Sequence, residues 1–300
     1  MLVNNNHTNK KNVSALSLNA LKPIDVVKID MNWVTLKISE VAKIKDTELQ
    51  RLFDIFNKFK FVIIECESSP NPRENLLALR RFFGSVKRHK RSDQDGIVPV
   101  QNFGNTLATS DQISATNKQH LLHTDGSFDL DPPKVVAMQC EIPAETGGFS
   151  QIVYGEAIYE YLNKNYLEEL QNLFSNPITI TRGRETATRA MFVSKEGRVL
   201  ITFRYDSVIS ITIPKEVKTA VEIVKDYILN PNNQFIYKLK FHQILVIDNT
   251  SLLHGRTSFP NNEFRKINRL WFDGISEYFN SLQFGFTPKS QLNGKTLIMN

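Results

Sequence analysis

From about residue 95 to residue 275 the chain is built of short apolar runs, among them VVAMQCE, ITFRYD, QFIYKLK, HQILVID and NRLWFDG, bounded by Gly, Pro, Asn and Asp. Runs this short and this often punctuated read as β-strands joined by turns. Many short strands leave many unpaired edges. Two packed sheets wound as a jelly-roll hide most of them and leave a mouth for a ligand. The expected fold is therefore mainly β with flanking helices, around a double-stranded β-helix core of the jelly-roll, cupin-like kind. Three hundred residues with 41% hydrophobic content can bury one large core of this type.

Helices are expected around that core. In DTELQRLFDIFNKFK, Leu49, Leu52, Phe53 and Phe56 recur near helical spacing, which predicts an amphipathic helix starting at Asp46 as N-cap. FVIIECE follows as a strand, and after Pro70 and Pro72 the segment ENLLALRRFFGS predicts a second helix ended by Gly84. GEAIYEYLNKNYLEELQNLF and PKEVKTAVEIVKDYILN read as helical inserts. TRGRETATRAMFVSKEGR, charged and without a clear period, reads equally as a lid or substrate loop and as an ordinary surface hairpin. Residues 1–22, rich in Asn, Lys and Ser, are expected to form a flexible arm, and residues 23–300 a single domain.

No apolar run reaches the roughly 20 residues of a membrane span, and the polar start MLVNNNHTNKKNVSALSLN lacks the hydrophobic stretch of a secretory signal. Both point to the cytoplasm. Cys66 and Cys140 lie in apolar strand-like runs and read as core thiols. The net charge of +6 is concentrated in LRRFFGSVKRHKR, where Arg80, Arg81, Lys87, Arg88, Lys90 and Arg91 crowd together. No nucleic-acid-binding motif or series of stacking aromatics accompanies this patch, so a solvated helix end and loop is the better reading. It would also attract a substrate tethered to an acidic carrier protein.

The chemistry is concentrated in three residues. His123 and Asp125, in LLHTDGSF, are one residue apart, and side chains at i and i+2 of a strand share a face. His254, in LLHGRTSF, follows HQILVIDNTSLL, a run that reads as a buried strand ending at a turn. Two imidazoles and one carboxylate form the mixed set that suits Fe(II) when further coordination positions stay open. Only six histidines are present. His242 competes for the distal position but falls on the polar side of its strand, and His89 and His120 have no carboxylate partner at strand spacing. Downstream of His254, Arg265 and Arg269 lie in the alternating segment FRKINRLWFDG, where a guanidinium can hold a carboxylate through two parallel hydrogen bonds. Ser150 closes ETGGFS, where its hydroxyl can donate to the same carboxylate and Gly147 and Gly148 permit close backbone approach.

Together HTDGSFDLDPPKVVAMQCEIPAETGGFS and HGRTSF, with an arginine eleven residues after the histidine, resemble the 2-oxoglutarate and Fe(II)-dependent dioxygenases of the taurine dioxygenase-like (TauD/TfdA) family, including its γ-butyrobetaine hydroxylase branch. The resemblance spans roughly residues 45 to 275. It implies that His123, Asp125 and His254 ligate Fe(II), that Arg265 and Ser150 hold the distal carboxylate of 2-oxoglutarate, and that Arg269 faces an anionic group of the substrate. It also implies use of O2, release of succinate and CO2, and oxidation of an unactivated C–H bond. Asp125 argues against a halogenase, which has a small residue at that place. The chain has neither the length nor the cysteines of the extra N-terminal domain of γ-butyrobetaine hydroxylases, so substrate identity does not transfer. A small amino acid, amine or carboxylate is expected, free or carrier-tethered, with Arg204 and Asp206 of ITFRYD facing it if they reach the mouth; a local ion pair is the other reading of those two. Against the enzyme stand a metal-binding jelly-roll without turnover and a basic nucleic-acid-binding protein whose histidines are incidental.

Overall fold

The computed structural model describes residues 29–67, 71–102 and 113–289. The arm expected over residues 1–22 lies outside them. The larger of two main sheets runs in the order β1 (Thr35–Ile38), β2 (Phe61–Cys66), β14 (Ile244–Asp248), β6 (Val135–Ile142), β16 (Lys266–Phe272) and β3 (Val86–Lys87), with β4 (Val98–Gln101) also paired to β16. The β1–β2 pair is parallel and the other pairs are antiparallel. The smaller sheet has the order β13 (Phe235–Tyr237), β7 (Ser150–Tyr154), β15 (Leu252–Arg256) and β5 (His120–His123), all antiparallel. The chain crosses between sheets at β5–β6, β6–β7, β13–β14, β14–β15 and β15–β16. This repeated crossing is the jelly-roll winding expected from the sequence.

Val135, Ala137, Leu245, Ile247 and Leu270 of the larger sheet and Ile152, Tyr154, Leu252 and Phe235 of the smaller share one buried core. The larger sheet is covered on its other side by α2 (Asp46–Phe59), which packs on β1, β2 and β14. Burial on both faces explains why FVII and ILVI read as continuous apolar runs. The cap of α2 is Lys45, whose N–H donates to Glu48 at 2.9 Å, one residue before the expected start. A single-turn helix, α1 (Met31–Val34), precedes it. The second expected helix is present as α3 (Pro72–Ala78) and α4 (Arg80–Phe83), and Gly84 ends it at φ 96°. The first helical insert breaks at Tyr166 into α5 (Gly155–Asn165) and α6 (Leu167–Ser175). With α7 (Lys218–Leu229) these helices form a second core against Val153 and Leu253 of the smaller sheet.

Two local expectations change, and a third segment takes one of its two expected forms. HQILVIDNTSLL is two strands: Asp248 accepts from Thr250 N at 2.9 Å and from the hydroxyls of Thr250 and Ser251, which closes a turn and places His254 inside β15. ITFRYD is not a strand throughout. After β11 (Arg198–Ile201) the chain leaves its hairpin, and Phe203 bonds to Thr124 instead. TRGRETATRAMFVSKEGR falls within two ordinary hairpins, β8 (Ile178–Arg182) with β9 (Glu185–Arg189) and β10 (Phe192–Lys195) with β11, while β12 (Ser210–Thr212) pairs with β8.

No helix among the described residues is long and apolar enough to cross a membrane. Both cysteines are free thiols. Much of the basic patch is tied down locally: Arg81 faces Glu277, Lys87 pairs with Asp131, Arg88 donates to the Asp93 and Gln94 carbonyls, and Arg91 donates to Ser114.

Candidate metal centre

The antiparallel register of β5 and β15 sets His123 directly opposite His254, with ring centroids 4.6 Å apart. His123 is the last residue of β5, and Asp125 opens the turn that follows. Thr124 turns away, as its place between them requires: its N–H donates to Phe203 O at 2.8 Å and its Oγ1 accepts from Phe203 N at 3.1 Å. Asn249 clamps the Asp125 backbone from both sides, accepting from its N–H at 2.8 Å and donating to its carbonyl at 3.0 Å. The turn that separates β14 from β15 therefore also fixes the carboxylate ligand.

One donor atom from each of His123, Asp125 and His254 lies within 4.8 Å of the other two, and all three residues are buried. His123 Nε2 is 3.3 Å from Asp125 Oδ1, and His254 Nε2 is 3.8 Å from Asp125 Oδ2. Donors about 2.1 Å from a shared first-row ion and at right angles lie about 3 Å apart, so this set closes on one ion with small side-chain movement. The Leu121 carbonyl can only accept, at 2.7 Å, so Nδ1 of His123 carries the proton and its Nε2 lone pair is left for the metal. That Nε2 is buried without a hydrogen-bond partner among the described residues, which fits an atom able to ligate a metal. Burial by itself would raise the Asp125 carboxyl, but the Arg269 guanidinium beside it holds it well below the usual carboxylate range. Burial, reinforced by His123 and opposed by Asp125, lowers His254 to about 3. An anionic carboxylate and a neutral imidazole are the protonation states a metal requires.

A small cavity adjoins the triad, lined by His254 together with His120, Ser150, Arg256, Arg265 and Arg269. Arg265 is buried, and no carboxylate among the described residues compensates it; burial pushes its guanidinium down to about 10. A buried cation without a partner is costly unless a ligand anion supplies one. Gly148 sits at φ 63°, and a Cβ there would come within 3.1 Å of Arg265 Cδ, which explains the glycine in ETGGFS. Ser150, at the start of β7, pairs across the sheet with both Arg256 and Tyr237. Both residues expected to hold a distal carboxylate, Arg265 and Ser150, thus line this cavity.

The other expected residues take different positions. Arg269 is engaged with Asp125: its Nη1 donates to Oδ1 and Oδ2, each at 3.1 Å. Arg204 and Asp206 form a buried local ion pair at 2.8 Å, the simpler of their two readings, and the Arg204 guanidinium lies 5.7 Å from the Phe128 ring, with Arg182 on the same ring at 5.2 Å. Arg204 is close enough to lower His254 and His120 electrostatically. His242 lies in a turn at φ 62° and stacks on Phe241, apart from the triad. The sequence reading passed over Trp271, Asn249 and Arg256, and it set His120 aside for want of a carboxylate partner at strand spacing. Trp271 was within reach, because Arg269 and Trp271 are two apart in a strand and share a face; its Nε1 donates to Asp125 Oδ2 at 2.9 Å. Asn249 left no comparable local signal.

A jelly-roll presenting two buried imidazoles and one carboxylate to a common point defines the class of non-haem Fe(II) facial-triad proteins. Within that class, the family described as taurine catabolism dioxygenase TauD, TfdA matches residues 20–271, and the chain belongs to it. Among curated relatives, γ-butyrobetaine dioxygenase of Homo sapiens is 25% identical over 183 residues, covering 55% of this chain and 47% of that protein. Mitochondrial trimethyllysine dioxygenase of Homo sapiens is 23% identical over 273 residues, covering 78% and 64%. The chain thus spans about half to two thirds of the length of these relatives. Solved structures agree in fold. AAD-2 in complex with Mn(II) and N-oxalylglycine superposes with a TM-score of 0.60 at 15% identity, over 79% of this chain and 91% of that one. Asparagine oxygenase in complex with Fe(II), 2S,3S-3-hydroxyasparagine and succinate gives 0.59 at 14% identity, over 75% and 79%.

Proposed function

We propose that this protein is an Fe(II)- and 2-oxoglutarate-dependent oxygenase that hydroxylates, or otherwise oxidises, an unactivated C–H bond of a small amino acid, amine or carboxylate. The observation that carries this reading is the convergence of His123, Asp125 and His254 within 4.8 Å beside a cavity holding the uncompensated Arg265. The three ligands would hold Fe(II), and Arg265 with Ser150 would take the distal carboxylate of 2-oxoglutarate. When bound together with O2, iron and 2-oxoglutarate supply an oxidant for C–H bonds as succinate and CO2 are released. The protein's own part is placement. Leu121 sets the His123 tautomer, Asn249 and Arg269 fix Asp125, and burial of all three ligands keeps bulk water from the reacting centre.

Arg204 and Asp206 remain the residues proposed to meet charged groups of the substrate, by opening their mutual ion pair. Arg269 would reach a substrate anion only while still bound to Asp125. Free core thiols and a ferrous ion both suit a reducing compartment, which favours the cytoplasm. The substrate is proposed to be small, whether free or brought by an acidic carrier to the basic patch.

The test is succinate formation from 2-oxoglutarate under air with ferrous iron, screened against small amino acids, amines and carboxylates for stimulation. His123→Ala and His254→Ala are expected to abolish both metal binding and turnover while the circular dichroism spectrum is retained. Normal turnover in either variant overturns the ligand assignment. Metal binding without any 2-oxoglutarate consumption would leave a metal-binding protein without redox turnover.

A further inference from the structure

Residues three apart in a regular strand project to opposite faces of a sheet. His120 and His123 do not: their rings lie on the same side, with centroids 4.1 Å apart and planes tilted by 32°. The cause is in the pairing of β5 with β15. His254 faces His123 while Arg256 faces His120, so two steps along β15 answer three along β5, and the extra residue makes a β-bulge. Gly255 makes the bulge possible, because a Cβ there would lie 2.8 Å from His120 O and 3.2 Å from Leu122 N. Two features of the chain, an inserted residue in β5 and a glycine opposite it, thus turn a ring inward that ordinary alternation would send to the other face.

The ring so delivered has a place but no partner. His120 borders the same cavity as Ser150, Arg256, Arg265 and His254, and its Nε2 is buried with no hydrogen-bond partner among the described residues. Across the sheet from it stands Arg256, buried and tethered by Nη2 to the carbonyls of Thr116 and Lys118. Arg256 and Arg265 line the same cavity, and burial first, then the charge of Arg265, lowers the Arg256 guanidinium to about 9. His120 thus touches the His123 ring, faces Arg256 across the sheet and shares its cavity with Arg265, so it borders both the metal ligands and the buried cations that a metal-chelating dicarboxylate must span.

We infer that His120 is a binding residue of the cosubstrate pocket, its Nε2–H donating a hydrogen bond to a carboxylate oxygen of the bound dicarboxylate. The inference rests on the oxygenase reading above and adds a ligand-binding residue to it. A buried hydrogen bond to a carboxylate is strong and selective, since the alternative leaves an imidazole N–H with no partner.

The test compares His120→Gln, which keeps a donor, with His120→Met, similar in size and without one. Each is loaded with Mn(II) and titrated with 2-oxoglutarate by calorimetry, after a separate Mn(II) titration. The Met variant is expected to weaken 2-oxoglutarate binding about tenfold or more, with the Gln variant within a few-fold of the unsubstituted protein and Mn(II) affinity unchanged in both. Equal 2-oxoglutarate affinity in the Met and Gln variants would overturn the inference. A parallel loss of Mn(II) affinity would also overturn it, reducing His120 to a support for His123. Should the Met variant fail to fold, His120→Phe supplies the comparison without a donor. Failure of the unsubstituted Mn(II) protein to bind 2-oxoglutarate would instead bring down the oxygenase reading itself.

Discussion

The indole N–H of Trp271 donates to Oδ2 of Asp125 at 2.9 Å, from the same face of β16 that presents Arg269 to the same carboxylate. Behind the indole, His89 packs edge-on at 5.4 Å. Asp125 is therefore held on its backbone by Asn249 and on its side chain by two donors from one strand, leaving little freedom in how it meets a metal.

Removing the indole donor should be felt at the metal. Trp271→Phe keeps an aromatic ring but deletes the N–H, and losses of this kind next to a metal ligand typically lower metal affinity about 10–100-fold. Mn(II) titration of the variant measures it. Unchanged affinity would show that Arg269 alone suffices to hold Asp125.

On the proposed role of Arg265, Arg265→Ala should raise the 2-oxoglutarate requirement on the order of a hundredfold, because the two charge-assisted hydrogen bonds it would make to a buried carboxylate are lost. Arg265→Lys should recover only part of this, as an ammonium cannot reproduce the planar fork. The dependence of initial rate on 2-oxoglutarate at saturating iron reads both. A loss confined to kcat would place Arg265 elsewhere in the chemistry.

Gly255→Ala forces a methyl to within 2.8 Å of the His120 carbonyl in a sheet that cannot widen locally without moving His123 or His254. Overpacking of this kind costs about 1–3 kcal/mol. Urea unfolding of the metal-free protein measures it, and a substitution without effect on the midpoint would mean that the bulge relaxes freely.

Acid should destabilise the fold through His89. Burial first, then Arg269 and Arg91, lowers its imidazole to about 3 from an ordinary 6.5. Between those values the unfolded chain binds a proton that the folded one refuses. The contribution is thus complete above about pH 6.5 and is lost progressively down to about pH 3. Asp129, raised to about 6 mainly by burial and then by Glu185, acts in the opposite sense, favouring the fold at low pH and losing that contribution as pH rises through 6. Melting temperature against pH, compared with His89→Phe, isolates the histidine part; an unaltered acid limb in the variant would refute it.

Much of the site could be read before any coordinates. The types and order of His123, Asp125 and His254 suggested a metal set that the fold does bring together, those of Arg265 and Ser150 suggested the anion holder proposed above, and the short punctuated strands suggested the sheets, because side-chain chemistry and local periodicity are properties of neighbouring residues. Roles that depend on who faces whom were not legible. That β16 brings Arg269 onto Asp125 could not be read from local sequence, nor could the closure of Asp206 on Arg204, one of the two readings open for that pair.

His120 shows the division most plainly. By alternation it belongs on the opposite face from His123, and only the register slip against β15 turns it inward. The sequence by itself determined which residues can bind a metal and a carboxylate and that they lie in a strand-rich chain. Register, bulges and the assignment of strands to sheets were decided by tertiary structure, since they arise from contacts between segments far apart in the chain whose energies no local pattern records.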